Sequence, residues 1–215
     1  MIDFFKTLFD IILHIDEYLK TWIAEYGTAT YAILFLIVFM ETGLIIMPLL
    51  PGDSLLFTAG MFCAVENPTL EIFTVIPLLI AAALLGDNVN YFVGRFFSEQ
   101  IKKRKRILFF KREYIDKTEA FYAKHGGKTI ILARFVPIVR TIAPFVAGAG
   151  NMPYVRYITF CIIGAVLWVG SITTAGFLFG NVLWVKENFT LVVLGIVFVS
   201  VLPIIIGLLW LNIKN

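Results

Sequence analysis

An all-α polytopic membrane protein, built as an inverted repeat of two re-entrant helical hairpins plus transmembrane helices, is the fold class this sequence predicts. Three observations carry the prediction. First, 60% of the 215 residues are hydrophobic and only 15% are charged, against about 45–50% and about 25% in soluble domains; the mean hydropathy is +0.89. Second, residues 129–150, TIILARFVPIVRTIAPFVAGAG, set Arg134 and Arg140 in an apolar stretch with Pro137 between them and Pro144 beyond. An arginine at the centre of a lipid-facing helix costs about 2.5–3.5 kcal/mol on insertion scales, and each proline removes a backbone donor. A broken segment lining a polar cavity avoids both costs. Third, the order of elements repeats along the chain.

The length suits one membrane domain covering residues 1–215. Repeat 1 (3–97) opens on an amphipathic segment, 3–24, where Phe4, Leu8, Ile11, Ile15, Leu19 and Trp22 recur at helical spacing among acids and lysines. It reads as an interfacial helix, and the acids interrupting its core argue against a signal peptide. The first re-entrant hairpin, 29–64, contains Glu41, and Pro48, Pro51 and Gly52 break it; Asp53 stands where a side chain caps the following helix. Glu41 has no such local explanation, and an ionisable residue inside a membrane segment points to function. A span follows at 72–97, ending in GDNVNYFVGR, with Asp87, Tyr91 and Arg95 on one helix face. An intramembrane ion pair plus an interfacial arginine that locks the helix in place is the bland explanation of that face, and it is preferred to a direct role in transport.

Repeat 2 (98–181) begins with a basic segment, 98–128. Eleven of the 18 Lys and Arg residues lie between Arg95 and Lys128, against four acids, which predicts that this segment is cytoplasmic; attraction to anionic headgroups is a compatible second role. Tyr114, Lys117, Phe121 and Lys124 fit one amphipathic helix. The second hairpin, 129–150, and a span, 155–181, complete the repeat. Gly164, Gly170, Ala175, Gly176 and Gly180 suit this span to close helix packing, and Trp168 and Trp184 fall near contact or interface positions. A final span covers 189–212, and the C-terminus is placed in the cytoplasm. One span separates the hairpins, so they enter from opposite faces, the plan of many transporters. Their residues correspond loosely, with Ala59-Gly60 matching Ala147-Gly148.

The histidines are His14 and His125, and Cys63 and Cys161 lie in apolar stretches without a CxxC pair. No metal site is expected and no cofactor is called for; the cysteines read as buried apolar residues. Nucleic acid is not expected as a partner, because it would need a folded basic surface and this basic run is framed by membrane segments.

FME at 39–41, PGDSLL at 51–56, GDNVNYFVGR at 86–95, HGGK at 125–128, ARFVPIVR at 133–140 and AGAG at 147–150 together resemble the DedA family of bacterial inner-membrane proteins (the SNARE-associated or VTT-domain group), in its envelope-homeostasis branch. The resemblance runs from Tyr31 to Trp168. It implies a lipid carrier in the cytoplasmic membrane, moving undecaprenyl phosphate or a phospholipid with a link to proton-motive force. It also implies that Glu41, Asp53, Arg134 and Arg140 matter most. The resulting expectation is that Arg134 and Arg140 bind the phosphate headgroup while Glu41 and Asp53 respond to protons, with Pro51, Gly52, Asp87, Tyr91, Arg95 and Pro137 in support. The partners are then membrane lipids, protons and, optionally, a second copy of the chain. Against a transporter stand a lipid-phosphate phosphatase using Ser54 beside Asp53, an ion or small-solute antiporter, a scaffold, and a purely structural network of the four charges.

Overall fold

Hydrophobic periodicity sets the helices. In the computed structural model the described residues are 15–44, 52–65, 68–104, 106–107, 110–111, 127–196 and 198. They form α1 (Ile15–Tyr26), a 3-10 turn (Gly27–Ala29), α2 (Thr30–Gly43), α3 (Gly52–Cys63), α4 (Ile72–Arg104), α5 (Lys128–Ala133), α6 (Pro137–Ala149), α7 (Tyr154–Phe179) and α8 (Leu183–Glu187). A two-residue antiparallel ladder, β1 (Arg106–Ile107) with β2 (Phe110–Lys111), follows α4 and was not expected from the sequence.

Each long helix buries one stripe. In α4 it runs through Val75, Leu79, Ala82, Gly86, Asp87, Asn90, Tyr91, Gly94 and Ser98, and in α7 through Tyr157, Cys161, Gly164, Ala165, Trp168, Thr173 and Gly176. The opposite faces carry exposed Leu85, Val89, Phe92, Val155, Ile162, Val166 and Leu178. Among the described residues, three stretches are long and apolar enough to cross a membrane: Ile15–Gly43, Ile72–Ser98 and Tyr154–Phe179. The expected spans 72–97 and 155–181 are thus present as helices. The helix expected to end near 24 continues to Tyr26, where Gly27, with φ +54°, turns the chain into α2. A positive φ is cheap only for glycine.

Residues 45–51, with the break expected at Pro48 and Pro51, and the segment 112–126, with the helix expected through Tyr114 to Lys124, lie outside the described residues. So does most of the expected final span, of which residues 189–196 are helical.

The chain falls into two compact units. The first combines Met1–Ile37, Leu50–Leu79 and Val169–Asn215; the second combines Val38–Leu49 and Ile80–Trp168. In the first unit α1 packs on α3, and α3 is buried on nearly every side. Gly60 of α3 lies against the Thr173 carbonyl and the Phe177 amide of α7, and Gly176 of α7 against the Phe57 carbonyl. The second unit repeats the device. There Gly148 of α6 lies against the Tyr91 carbonyl and the Arg95 amide of α4, and Gly94 of α4 against the Phe145 carbonyl. At each of these glycines a Cβ would fall about 2 Å from a carbonyl oxygen, so only glycine permits the approach. Gly180 packs on the Met61 side chain, whereas nothing lies within 4 Å of a Cβ at Gly170.

Candidate functional site

The break between α5 and α6 creates the site, and it falls at Arg134–Val136. Val136 is extended, with φ −119° and ψ 107°, and Pro137 takes the first position of α6. A residue before proline is pushed out of the helical region, and at the first helical position the missing N–H has no partner to lose. Arg134 therefore caps the end of α5 while Arg140 sits one turn into α6. Arg140 shares the buried face of α6 with Ala143, Pro144 and Ala147, opposite exposed Val139 and Ile142.

Both arginines are buried and each has a carboxylate. Arg140 Nη2 donates to Glu41 Oε1, and Arg134 Nη2 donates to Asp87 Oδ2. Relative exposures are 0% for Glu41, 2% for Asp87, 4% for Arg134 and 6% for Arg140. Charges so placed are held by pairing, since an isolated one would carry the full desolvation penalty. Glu41 reaches this position because it closes the buried face of α2 begun by Thr30, Leu34 and Val38.

A scaffold from α4 and α7 fixes the pairs. Asn90 Nδ2 donates to the Thr42 carbonyl at 2.5 Å and lies 3.3 Å from the Thr141 carbonyl, so one amide holds the residues next to Glu41 and Arg140. Tyr157 donates to the Asp87 carbonyl at 2.9 Å, and the Cys161 thiol lies 3.8 Å from Asp87 Oδ2. Gly164 leaves room for the Arg134 stem, whose Cδ is 3.3 Å from the place a Cβ would take. The Trp168 indole, fully buried, lies 4.7 Å from the Arg140 Cζ and 5.9 Å from the Arg134 Cζ.

The sequence-predicted residues separate into groups. Glu41, Arg134, Arg140 and Asp87 come together within the second unit. The partner of Asp87 is Arg134, while Arg95 donates to the Tyr91 hydroxyl at 3.2 Å. Tyr91 in turn donates to the Met152 carbonyl at 2.5 Å and stacks on Tyr157 at 4.3 Å, so it is part of the packing beside the site. Asp53 and Gly52 open α3 in the first unit, and both are buried there. Pro51 lies outside the described residues. Cys63 and Cys161 are free and buried, as expected. Asn90 was not assigned a role from sequence, and Trp168 was read only as lying near a contact or interface position. Asn90 stands within the GDNVNYFVGR motif, and Trp168 gave only its apolar character as a signal.

The helices, the three apolar stretches and the buried ion pairs define a polytopic membrane protein with a charged interior site. The family comparison agrees: the VTT domain model matches residues 50–178. Protein DedA of Escherichia coli strain K12 is 51% identical over 207 residues, covering 96% of this chain and 94% of the relative. An uncharacterized membrane protein of Mycobacterium leprae, ML0287, is 43% identical over 86% of this chain and 84% of its own length. The inner membrane protein YghB of Escherichia coli K12 is 29% identical over 87% and 86%. The chain belongs to the DedA family. No solved structure matches it.

Proposed function

We propose that the protein translocates a phosphate-bearing lipid, undecaprenyl phosphate or a phospholipid, across the cytoplasmic membrane with proton coupling. The observation that carries this is the pair of buried Arg–carboxylate contacts, Arg140–Glu41 and Arg134–Asp87, at a helix break in a membrane protein. Guanidinium stays charged in any protein environment and matches phosphate with parallel N–H donors. Carboxylates alone in such a pair can release their partner by taking a proton. An arriving phosphate thus competes with Glu41 and Asp87 for the arginines, the displaced carboxylates protonate, and proton movement follows headgroup movement. Asp53 is assigned a proton-responsive role from the first unit. The acyl chains stay in the bilayer.

Two re-entrant hairpins entering from opposite leaflets would bring such a site near the midplane. The matching glycine registers of α3 on α7 and α6 on α4 support that inverted repeat. The clustering of basic residues supports a cytoplasmic 98–128 segment and C-terminus.

The phosphatase alternative needs a base beside its nucleophile. The Ser54 hydroxyl is buried and has no hydrogen-bond partner among the described residues, which favours transport. The test is a headgroup-specific lipid translocation assay in proteoliposomes, with and without an imposed pH gradient. Translocation faster than protein-free vesicles, and accelerated by the gradient, is the expected result. Release of inorganic phosphate from undecaprenyl pyrophosphate, lost in Ser54→Ala, would replace transport with hydrolysis.

A further inference from the structure

We propose that Trp168 is a positioning residue of this site: its indole face holds the Arg134 and Arg140 guanidiniums while their N–H groups exchange carboxylate for lipid phosphate. This rests on the lipid-phosphate reading above. Both guanidinium carbons lie within 6 Å of one ring centroid, the range in which the ring quadrupole attracts a cation. The carboxylates take guanidinium Nη2 atoms, Glu41 on Arg140 and Asp87 on Arg134. The ring attracts the cation through its quadrupole and accepts none of the carboxylate hydrogen bonds, so it does not replace carboxylate or phosphate as the partner of the N–H donors. Because Trp168 is fully buried, water does not screen the attraction.

The geometry has a kinetic consequence. A guanidinium bound to carboxylate or to phosphate is neutralised in both states, and the ring contributes similarly to each. Between them, with the carboxylate gone and the phosphate not yet seated, the cation is bare. The ring matters most at that moment. An interaction stronger in a transition state than in either ground state changes kcat and leaves KM nearly alone. Trp168→Leu is therefore expected to slow translocation by roughly 10- to 30-fold, the range of a desolvated cation–π contact, with KM for the lipid within about twofold of the unsubstituted protein.

A fully buried tryptophan replaced by leucine can also disturb packing, so the decisive measurement changes only the electronics of the ring. The full chain with Trp22, Trp184 and Trp210 replaced by phenylalanine retains Trp168 alone, and a tryptophan auxotroph introduces 5-fluoro- or 5,7-difluorotryptophan there. Fluorine drains the ring face with little change in volume. In proteoliposomes, kcat is expected to fall stepwise with each fluorine at constant KM. A kcat indifferent to fluorination, or a change confined to KM, would overturn the proposal while leaving lipid transport standing. Should the unsubstituted protein carry no lipid, the transport reading fails; in that case, or if only the single-tryptophan protein is inactive, Trp168 is decided by its emission. Saturating dihexanoylphosphatidic acid is expected to shift it, dihexanoylglycerol to leave it unchanged, and Arg140→Gln to abolish the shift; no shift with the acid overturns the proposal.

Discussion

Arg134 and Arg140 carry the same charge but end in different places, one capping α5 and held by Asp87, the other on a face of α6 and held by Glu41. Removing one member of a buried pair leaves its partner uncompensated, at a cost of about 3–5 kcal/mol. Arg140→Gln is therefore expected to lower the thermal unfolding midpoint in detergent, and Glu41→Gln with Arg140→Gln to recover part of the loss. The same partial recovery is expected for Asp87→Asn with Arg134→Gln. Double mutants as unstable as the sum of the single ones would mean that these pairs are not coupled. Arg134→Lys and Arg140→Lys keep the charge but lose the planar fork, and translocation is expected to drop at least tenfold at normal protein levels. Full activity of both would discredit bidentate headgroup binding. On the proposed mechanism, protonation of Glu41 as pH falls frees Arg140 for phosphate, so Glu41→Gln is expected to flatten the pH profile of transport; an unchanged profile in proteoliposomes would remove Glu41 from proton coupling.

Among the elements, two small-residue contacts do the same work in different units. Gly60 in α3 and Gly148 in α6 each face a carbonyl and, four residues on, an amide of a long helix, and Phe57 and Phe145 each stand three residues before their glycine. Gly60→Leu and Gly148→Leu place a side chain where backbone already lies, and each is expected to cost at least 1–3 kcal/mol by about the ordinary measure of overpacking, read as a lower unfolding midpoint. An unchanged midpoint in either would show that the helices can part there at no cost. The sequence sets Ala59-Gly60 only loosely against Ala147-Gly148; in the structure Gly60 and Gly148 each meet the backbone of a long helix. The partner helices were not legible, since small-residue spacing does not say which helix comes near. Gly164 makes the point from the other side. It reads as a helix-packing residue, and what it accommodates is the stem of Arg134.

For the whole molecule, the membrane class followed from composition, and the helix break at Pro137 followed from the chemistry of proline and of the residue before it. The clustering of 11 Lys and Arg residues between Arg95 and Lys128 makes a further expectation: a cysteine at Lys103 should escape an impermeant maleimide in intact cells and react after permeabilisation. Labelling in intact cells would reverse the topology. Such a probe is feasible because Cys63 and Cys161 are both buried.

Local chemistry thus determined which residues had to leave the lipid: Glu41, Arg134, Arg140 and Asp87 are too costly to expose to hydrocarbon, and that cost can be read one residue at a time. Which carboxylate meets which arginine was decided only by tertiary structure. Asp87 lies on the same helix face as Arg95, yet it pairs with Arg134, 47 residues away in sequence, and a tryptophan with no distinguishing sequence signal lies against both guanidiniums. Charge is a property of a residue, whereas a pair is a property of the helices that bring two residues together.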